Sequence, residues 1–82
     1  MAATTTIVMT SVYQQVVAVG DYAIQNISSG NKKIEFRFAA SLPAPADQGH
    51  VIRSLDGAIT GWGDGPIWAR SNDENAVLAV TV

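Results

Sequence analysis

The sequence of 82 residues contains no cysteine. No disulfide staples the fold, and no thiolate site can hold zinc. There is one histidine, His50, which excludes a His-rich metal site and argues against a Ser-His-Asp triad. Charge is scarce too. Charged residues make up 15% of the chain, against roughly 25% in an ordinary soluble domain. The five basic residues are Lys32, Lys33, Arg37, Arg53 and Arg70, and only the first three lie close together. With a net charge of −2, the chain lacks the basic footprint of a nucleic-acid binder. No apolar run approaches the roughly 20 residues of a membrane span. Met1 to Thr6 has neither the basic start nor the apolar stretch of a secretory signal, so a soluble protein made in the cytoplasm is expected.

What the chain does have is apolar content: 48% hydrophobic residues and a mean hydropathy of +0.17. A domain of this length buries only roughly 60–65% of its unfolded surface. A small chain with few charges and much apolar surface is expected to hide some of that surface against another copy or another protein.

Val, Ile and Thr recur throughout, which favours strands over helices. In Lys33 to Phe38, Ile34, Phe36 and Phe38 alternate with Lys33, Glu35 and Arg37, the period-two pattern of a strand with one buried face. Asp21 to Ile27 is a second strand. The turn-forming Ser28-Ser29-Gly30-Asn31 between them predicts a β-hairpin over residues 21 to 39. Ser11 to Val19 reads as a strand with apolar residues on both faces: Tyr13, Val17 and Val19 on one, Val12, Val16 and Ala18 on the other. That pattern suggests one face inside the domain and one at an interface. Residues 1 to 10 read as an N-terminal arm or an edge strand, with a partly detached arm favoured because nothing anchors it before Ile7. Residues 11 to 82 form the single β domain.

Ser41 to Gly49 is the longest loop, stiffened by Pro43 and Pro45. His50 to Arg53 follows as a short strand, Asp56-Gly57 as a turn, and Gly61 to Pro66 as a glycine-rich loop that carries Trp62. Pro66 to Arg70 and Ala76 to Val82 are strands flanking the polar turn Ser71 to Asn75, read as a second hairpin. The sum is an all-β module of six to seven short strands with turns about every 8 to 12 residues, a small sandwich or barrel-like fold.

Chemistry is thin. His50 has Asp47 and Asp56 as its near carboxylates in sequence, a poor start for general-base catalysis. Asp56, Asp64, Asp73 and Glu74 stand in separate turns and do not match a calcium loop. Gly61 to Gly65 lacks the Gly-Lys-Ser/Thr ending and the following helix of a phosphate loop. The Lys33, Glu35 and Arg37 face is expected to be solvated, with cross-strand charge pairs. The sequence points to no enzyme, metal or cofactor. Trp62, flanked by glycines, reads as an interface or packing residue, with a sugar platform as the alternative, and Trp68 as core or subunit packing.

Several segments follow one another in a recognisable order: Ala23 to Gly30 with its Ile-Gln-Asn strand end, Ile34 to Arg37, Pro43 to His50, Pro66-Ile67-Trp68-Ala69-Arg70, and the closing Ala76 to Thr81. This order resembles small all-β virion structural proteins of tailed bacteriophages, of the capsid decoration (cement) or head-fibre and spike-base type. The resemblance covers roughly residues 22 to 82. It implies a β-sandwich, a homotrimer, a virion location, and contact with a major capsid protein or another virion protein, with no catalytic residues to transfer. The interface residues expected on this reading are Ile7, Val12, Tyr13, Val17, Pro43, Pro45, Trp62 and Trp68. A receptor- or carbohydrate-binding module of a head or tail fibre, using Trp62, is the alternative expectation.

Overall fold

Alternation of apolar and polar residues is plainest in Lys33–Phe38, where it buries Ile34 and Phe36 but leaves the terminal Phe38 46% exposed, and is weaker in the other segments that become strands. In the computed structural model of the protein, residues 4–18, 20–54, 57–63 and 65–82 are described. They contain eight strands and no helix: β1 Thr4–Val8, β2 Gln14–Val17, β3 Gly20–Asn26, β4 Lys33–Phe38, β5 His50–Arg53, β6 Ala58–Gly63, β7 Ile67–Arg70 and β8 Val77–Thr81. The strands form two four-stranded antiparallel sheets, ordered β1-β8-β3-β6 and β2-β7-β4-β5. Six of the seven connections pass from one sheet to the other, and only β4 to β5 stays within a sheet. This is the two-sheet, eight-strand jelly-roll arrangement of a β-sandwich.

The all-β sandwich expectation is met, but two of the connections differ from the sequence reading. Strands β3 and β4 do not pair, nor do β7 and β8. Both expected hairpins are crossovers between sheets. A hairpin and a crossover use the same turn residues, so composition does not separate them. Burial does. Ile24 on β3 and Ile34 on β4 are both fully buried, and they lie on opposite sheets. A hairpin would set the two apolar faces side by side on one ribbon. The crossover brings them into opposition across the sandwich, which removes both from water.

The core is filled from both sheets: Ile24, Leu78 and Val80 from one, Ile34, Phe36, Ile52, Ile67 and Ala69 from the other, with Met9, Val17 and Ala76 at its margins. Each large aliphatic side chain so buried contributes about 1.5–3 kcal/mol. The β3–β4 crossover is fastened by a buried polar knot. Asn26 Nδ2 donates to the carbonyls of Lys32 and Ile52, both at 3.0 Å, and Asn26 Oδ1 accepts from Ser28 N at 3.0 Å and Ser28 Oγ at 2.6 Å. Val77 N in turn donates to Ser28 Oγ at 2.7 Å, which ties the crossover to β8. Gly30 supplies the positive φ of 80° that this turn needs. The β7–β8 crossover is held similarly: Ser71 Oγ donates to Lys33 O at 2.6 Å, and Lys33 N donates to Asp73 Oδ2 at 2.7 Å.

Three local readings are corrected. Residues 4–8 are not detached: β1 pairs with β8 along its whole length, so the edge-strand alternative is the one the structure takes. The two-faced strand of residues 11 to 19 is shorter, and its pairing shifts between Gln15 and Val17. That bulge turns Val17 into the core. Finally, Gly61-Trp62-Gly63 is strand rather than loop. A Cβ on Gly61 would sit 2.9 Å from Tyr22 Oη, and one on Gly63 would sit 3.3 Å from Phe38 Cε1. The glycines make room for inward aromatic packing, and the alternation sends Trp62 outward. The expectations that fall on Val19, Asp56 and Asp64 lie outside the described residues.

Candidate interaction surfaces

The long loop between β4 and β5 folds back over the outer face of the β2-β7-β4-β5 sheet, and Arg70 holds it there. Arg70 stands on β7, directly opposite Glu35 on β4. Its Nε donates to Glu35 Oε1 at 3.1 Å, its Nη1 to Pro45 O at 2.8 Å and its Nη2 to Asp47 O at 2.9 Å. Its guanidinium lies 4.1 Å from the centre of the Tyr13 ring, a cation–π contact. Tyr13 Oη donates to Asp47 O at 2.9 Å. The other end of the loop is held by Glu35 Oε2, which accepts from Gly49 N at 3.0 Å, and by Arg37 Nη1, which donates to Gln48 O at 2.6 Å. Gly49 packs on the backbone of β4, where a Cβ would overlap the Phe36 carbonyl.

These contacts set two titrations. Burial pushes the Glu35 carboxyl up, but the Gly49 N–H and the Arg70 guanidinium outweigh it and hold the group below the usual carboxylate value. Burial, reinforced by the Glu35 charge, raises the Tyr13 phenol despite the opposing charges of Arg70 and Arg37.

The result is an apolar groove built on a tethered loop. Val12, Tyr13, Leu42, Pro43 and Pro45 line it, with Ser11 and Arg70 at its sides. Val12 is 64% exposed and Leu42 58% exposed at its rim, while Tyr13 and Pro43 are buried in its floor. Four of the residues expected at an interface, Val12, Tyr13, Pro43 and Pro45, thus meet at one place. The other four do not join them. Val17 belongs to the core, and Ile7 packs against that core from β1. Trp68 donates from Nε1 to Ala39 O at 2.9 Å and anchors the start of the loop. Trp62 is 65% exposed on the opposite sheet. Leu42 and Arg70 carry the groove as much as the prolines do. Leu42 was legible as an apolar residue beside a proline, whereas the role of Arg70 depends on a cross-sheet register that no local pattern reports.

The second surface is the outer face of the β1-β8-β3-β6 sheet. Thr4, Thr6 and Val8 from β1, Val77, Ala79 and Thr81 from β8, Asp21, Ala23 and Gln25 from β3, and Ala58, Thr60 and Trp62 from β6 alternate with the inward residues. Asp21 is the single charged group among these described positions. Thr4 and Thr81 bond through their hydroxyls at 2.7 Å. His50, on β5, packs its ring on Phe36 with centroids 5.4 Å apart. Among the described residues, no three of His, Asp and Glu come together as a metal-binding group.

The class these features define is a small jelly-roll β-sandwich. Two solved structures share that fold. One is a DUF1255 protein of unknown function from Acinetobacter sp. ADP1, with a TM-score of 0.60 and 14% identity over 98% of this chain; the chain spans 65% of that protein's length. The other is a Bacillus endospore appendage chain, described as one of a novel family of disulfide-linked pili, with a TM-score of 0.54 and 11% identity over 99% of this chain and 81% of that one. At these identities the likeness is one of fold. No protein-family model matches the sequence, and no curated protein does.

Proposed function

We propose that the protein is a non-enzymatic structural module that works through contact with neighbouring subunits, as a capsid decoration protein of a tailed-phage virion. The observation that carries the reading is the apolar groove of Val12, Leu42, Pro43 and Pro45. It is built on a loop held by at least five side-chain hydrogen bonds and presents exposed apolar side chains in a fixed geometry. A preformed apolar groove loses little conformational freedom when a partner covers it. The virion setting and the trimer rest on the sequence resemblance, and the low charge of the chain supports burial in an assembly. The pilus-forming neighbour offers one further parallel, a sandwich of this fold in an assembly. With no cysteine in this sequence, contacts between copies of it are not disulfide-linked.

Co-sedimentation with purified phage shells tests the reading. The wild-type protein is expected to pellet with shells, and Leu42→Asp is expected to fold normally but stay in the supernatant. Wild-type protein that remains entirely in the supernatant refutes the decoration role. The exposure of Trp62 favours a second reading, a receptor- or glycan-binding module. Loss of glycan or cell binding in Trp62→Ala, with shell binding intact, selects it.

A further inference from the structure

The two sheets treat their edges differently. In the β2-β7-β4-β5 sheet, β2 is bulged, and β5 is four residues long and carries His50 and Arg53. Bulges, short length and charge are the usual protections against edge-to-edge pairing. The edges of the other sheet, β1 (Thr-Thr-Thr-Ile-Val) and β6 (Ala-Ile-Thr-Gly-Trp-Gly), contain no charged residue, no proline and no bulge.

Their backbone groups can be followed. Met9 N donates to Ala76 O, and the ladder runs Ile7↔Leu78 and Thr5↔Val80, so residues of that parity point their N–H and C=O toward β8. Thr4, Thr6 and Val8 therefore point theirs away from the sheet. Among the described residues one of these is used: the Val8 carbonyl accepts from Gln14 Nε2 at 3.2 Å. On the other side, Ile27 N donates to Val77 O, so the odd residues of β3 face β8 and the even ones face β6. With Tyr22 opposite Gly61 and Ile24 opposite Ile59, the residues of β6 that point away from the sheet are Ala58, Thr60 and Trp62. In each edge strand, the outward-pointing residues are those whose side chains lie on the sheet's outer face.

We infer that β1 of one copy pairs with β6 of a second copy of this chain, head to tail, continuing the β1-β8-β3-β6 sheet. All neighbours in that sheet are antiparallel, so β1 and β6 run in opposite directions, and a second copy set beside the first continues the alternation. Pairs such as Thr4 with Trp62 and Thr6 with Thr60 then bond through their free backbone groups and keep their side chains on one face. The same step covers Trp62 and Val8, the one 65% and the other 62% exposed in the single chain. Aromatic–β-branched and Thr–Thr pairs across strands are favourable contacts. A β1–β1 pair would cover Val8 and leave Trp62 in water, which is why the head-to-tail arrangement is preferred. Contacts of this kind close into a ring or grow into a filament, according to the rotation between copies.

Proline at an outward-pointing edge position removes a free donor without breaking the chain's own ladder. Thr6→Pro blocks β1, and Thr60→Pro blocks β6. Sedimentation equilibrium over a concentration series is expected to show wild-type oligomers and, for each variant alone, an 8.6 kDa monomer. An equal mixture of the two variants is expected to give a dimer of about 17 kDa, twice the chain mass, because each keeps the edge that the other lacks. Circular dichroism checks that each variant folds, and Thr6→Lys and Thr60→Lys replace any that does not. The contact is refuted if Thr60→Pro still dimerises while Thr6→Pro does not, if both variants assemble like the wild type, or if the wild type is a monomer throughout. The inference rests on the assembly reading, and the two fail separately. Blocked variants that still oligomerise sink this edge contact alone, whereas a wild-type monomer that also ignores shells sinks both.

Discussion

Replacing Asn26 by alanine removes the side chain that fastens the first crossover between the sheets. Asn26 is 1% exposed and its amide takes part in four hydrogen bonds, two as donor and two as acceptor. Each such bond contributes about 1 kcal/mol net, and a buried group left without a partner costs about 1–3 kcal/mol. The expected loss is about 3–5 kcal/mol. A domain of this length has a total stability of about 4–12 kcal/mol, so the variant is expected to fold only marginally. Urea unfolding followed by tryptophan fluorescence measures the change in midpoint and slope. Ser28→Ala should cost less, about 1–2 kcal/mol, and less still in the Asn26→Ala background, because the two side chains share a bond. Asn26→Asp separates polarity from shape. Its carboxylate cannot donate to the Lys32 and Ile52 carbonyls, and burial raises its folded pKa above the unfolded value. The deficit should therefore shrink as pH falls and the acid regains a donor. A loss under about 1 kcal/mol for Asn26→Ala at unchanged slope, set against the expected hydrogen-bond cost, would refute the claim that this knot holds the crossover.

Three further outcomes test the loop and its clamp. Gly49→Ala drives a Cβ into the Phe36 carbonyl on a central strand and should cost about 1–3 kcal/mol, seen as a lowered thermal midpoint. Arg70→Lys keeps the charge but loses the planar fork that reaches Glu35, Pro45 and Asp47 together. Limited proteolysis should then cut within residues 39–49 several times faster while the strands stay protected. Glu35 has a folded pKa below its ordinary 4.5, so its contribution is complete above that value and disappears as pH falls through the lower folded pKa. Amide exchange in the loop should accelerate in that acid window in the wild type and not in Glu35→Gln, which can keep a hydrogen bond to Gly49 N without the titrating charge.

Strand periodicity was legible wherever one face meets the core and the other meets water. Lys33–Phe38 and His50–Arg53 fall where alternation and turn residues set them. Strand β6 is hidden in the sequence because its inward positions include Gly61 and Gly63, which have the composition of a loop, and only the fold sets Tyr22 and Phe38 in the space above them. The groove was half legible. Val12, Tyr13, Pro43 and Pro45 stood out singly as apolar or stiff, but residues 12 and 43 come together only because the loop folds back over β2 and β7.

Side-chain alternation and turn chemistry are local properties, so the all-β class and the inward Ile34 and Phe36 of β4 can be read from the chain alone, whereas the burial of Val17 needs the bulge in β2. Partnership between strands was decided by tertiary structure. The same Ser-Ser-Gly-Asn turn can close a hairpin or carry the chain to the other sheet. What selects the crossover is the opposition of Ile24 and Ile34 across the core and the burial of Asn26 where it can satisfy both sheets. The scarcity of charge follows the same division. Composition alone shows that few charges exist. The fold sets Glu35, Arg37 and Arg70 to clamp the loop, and leaves one sheet with an almost uncharged outer face and two uncharged edges.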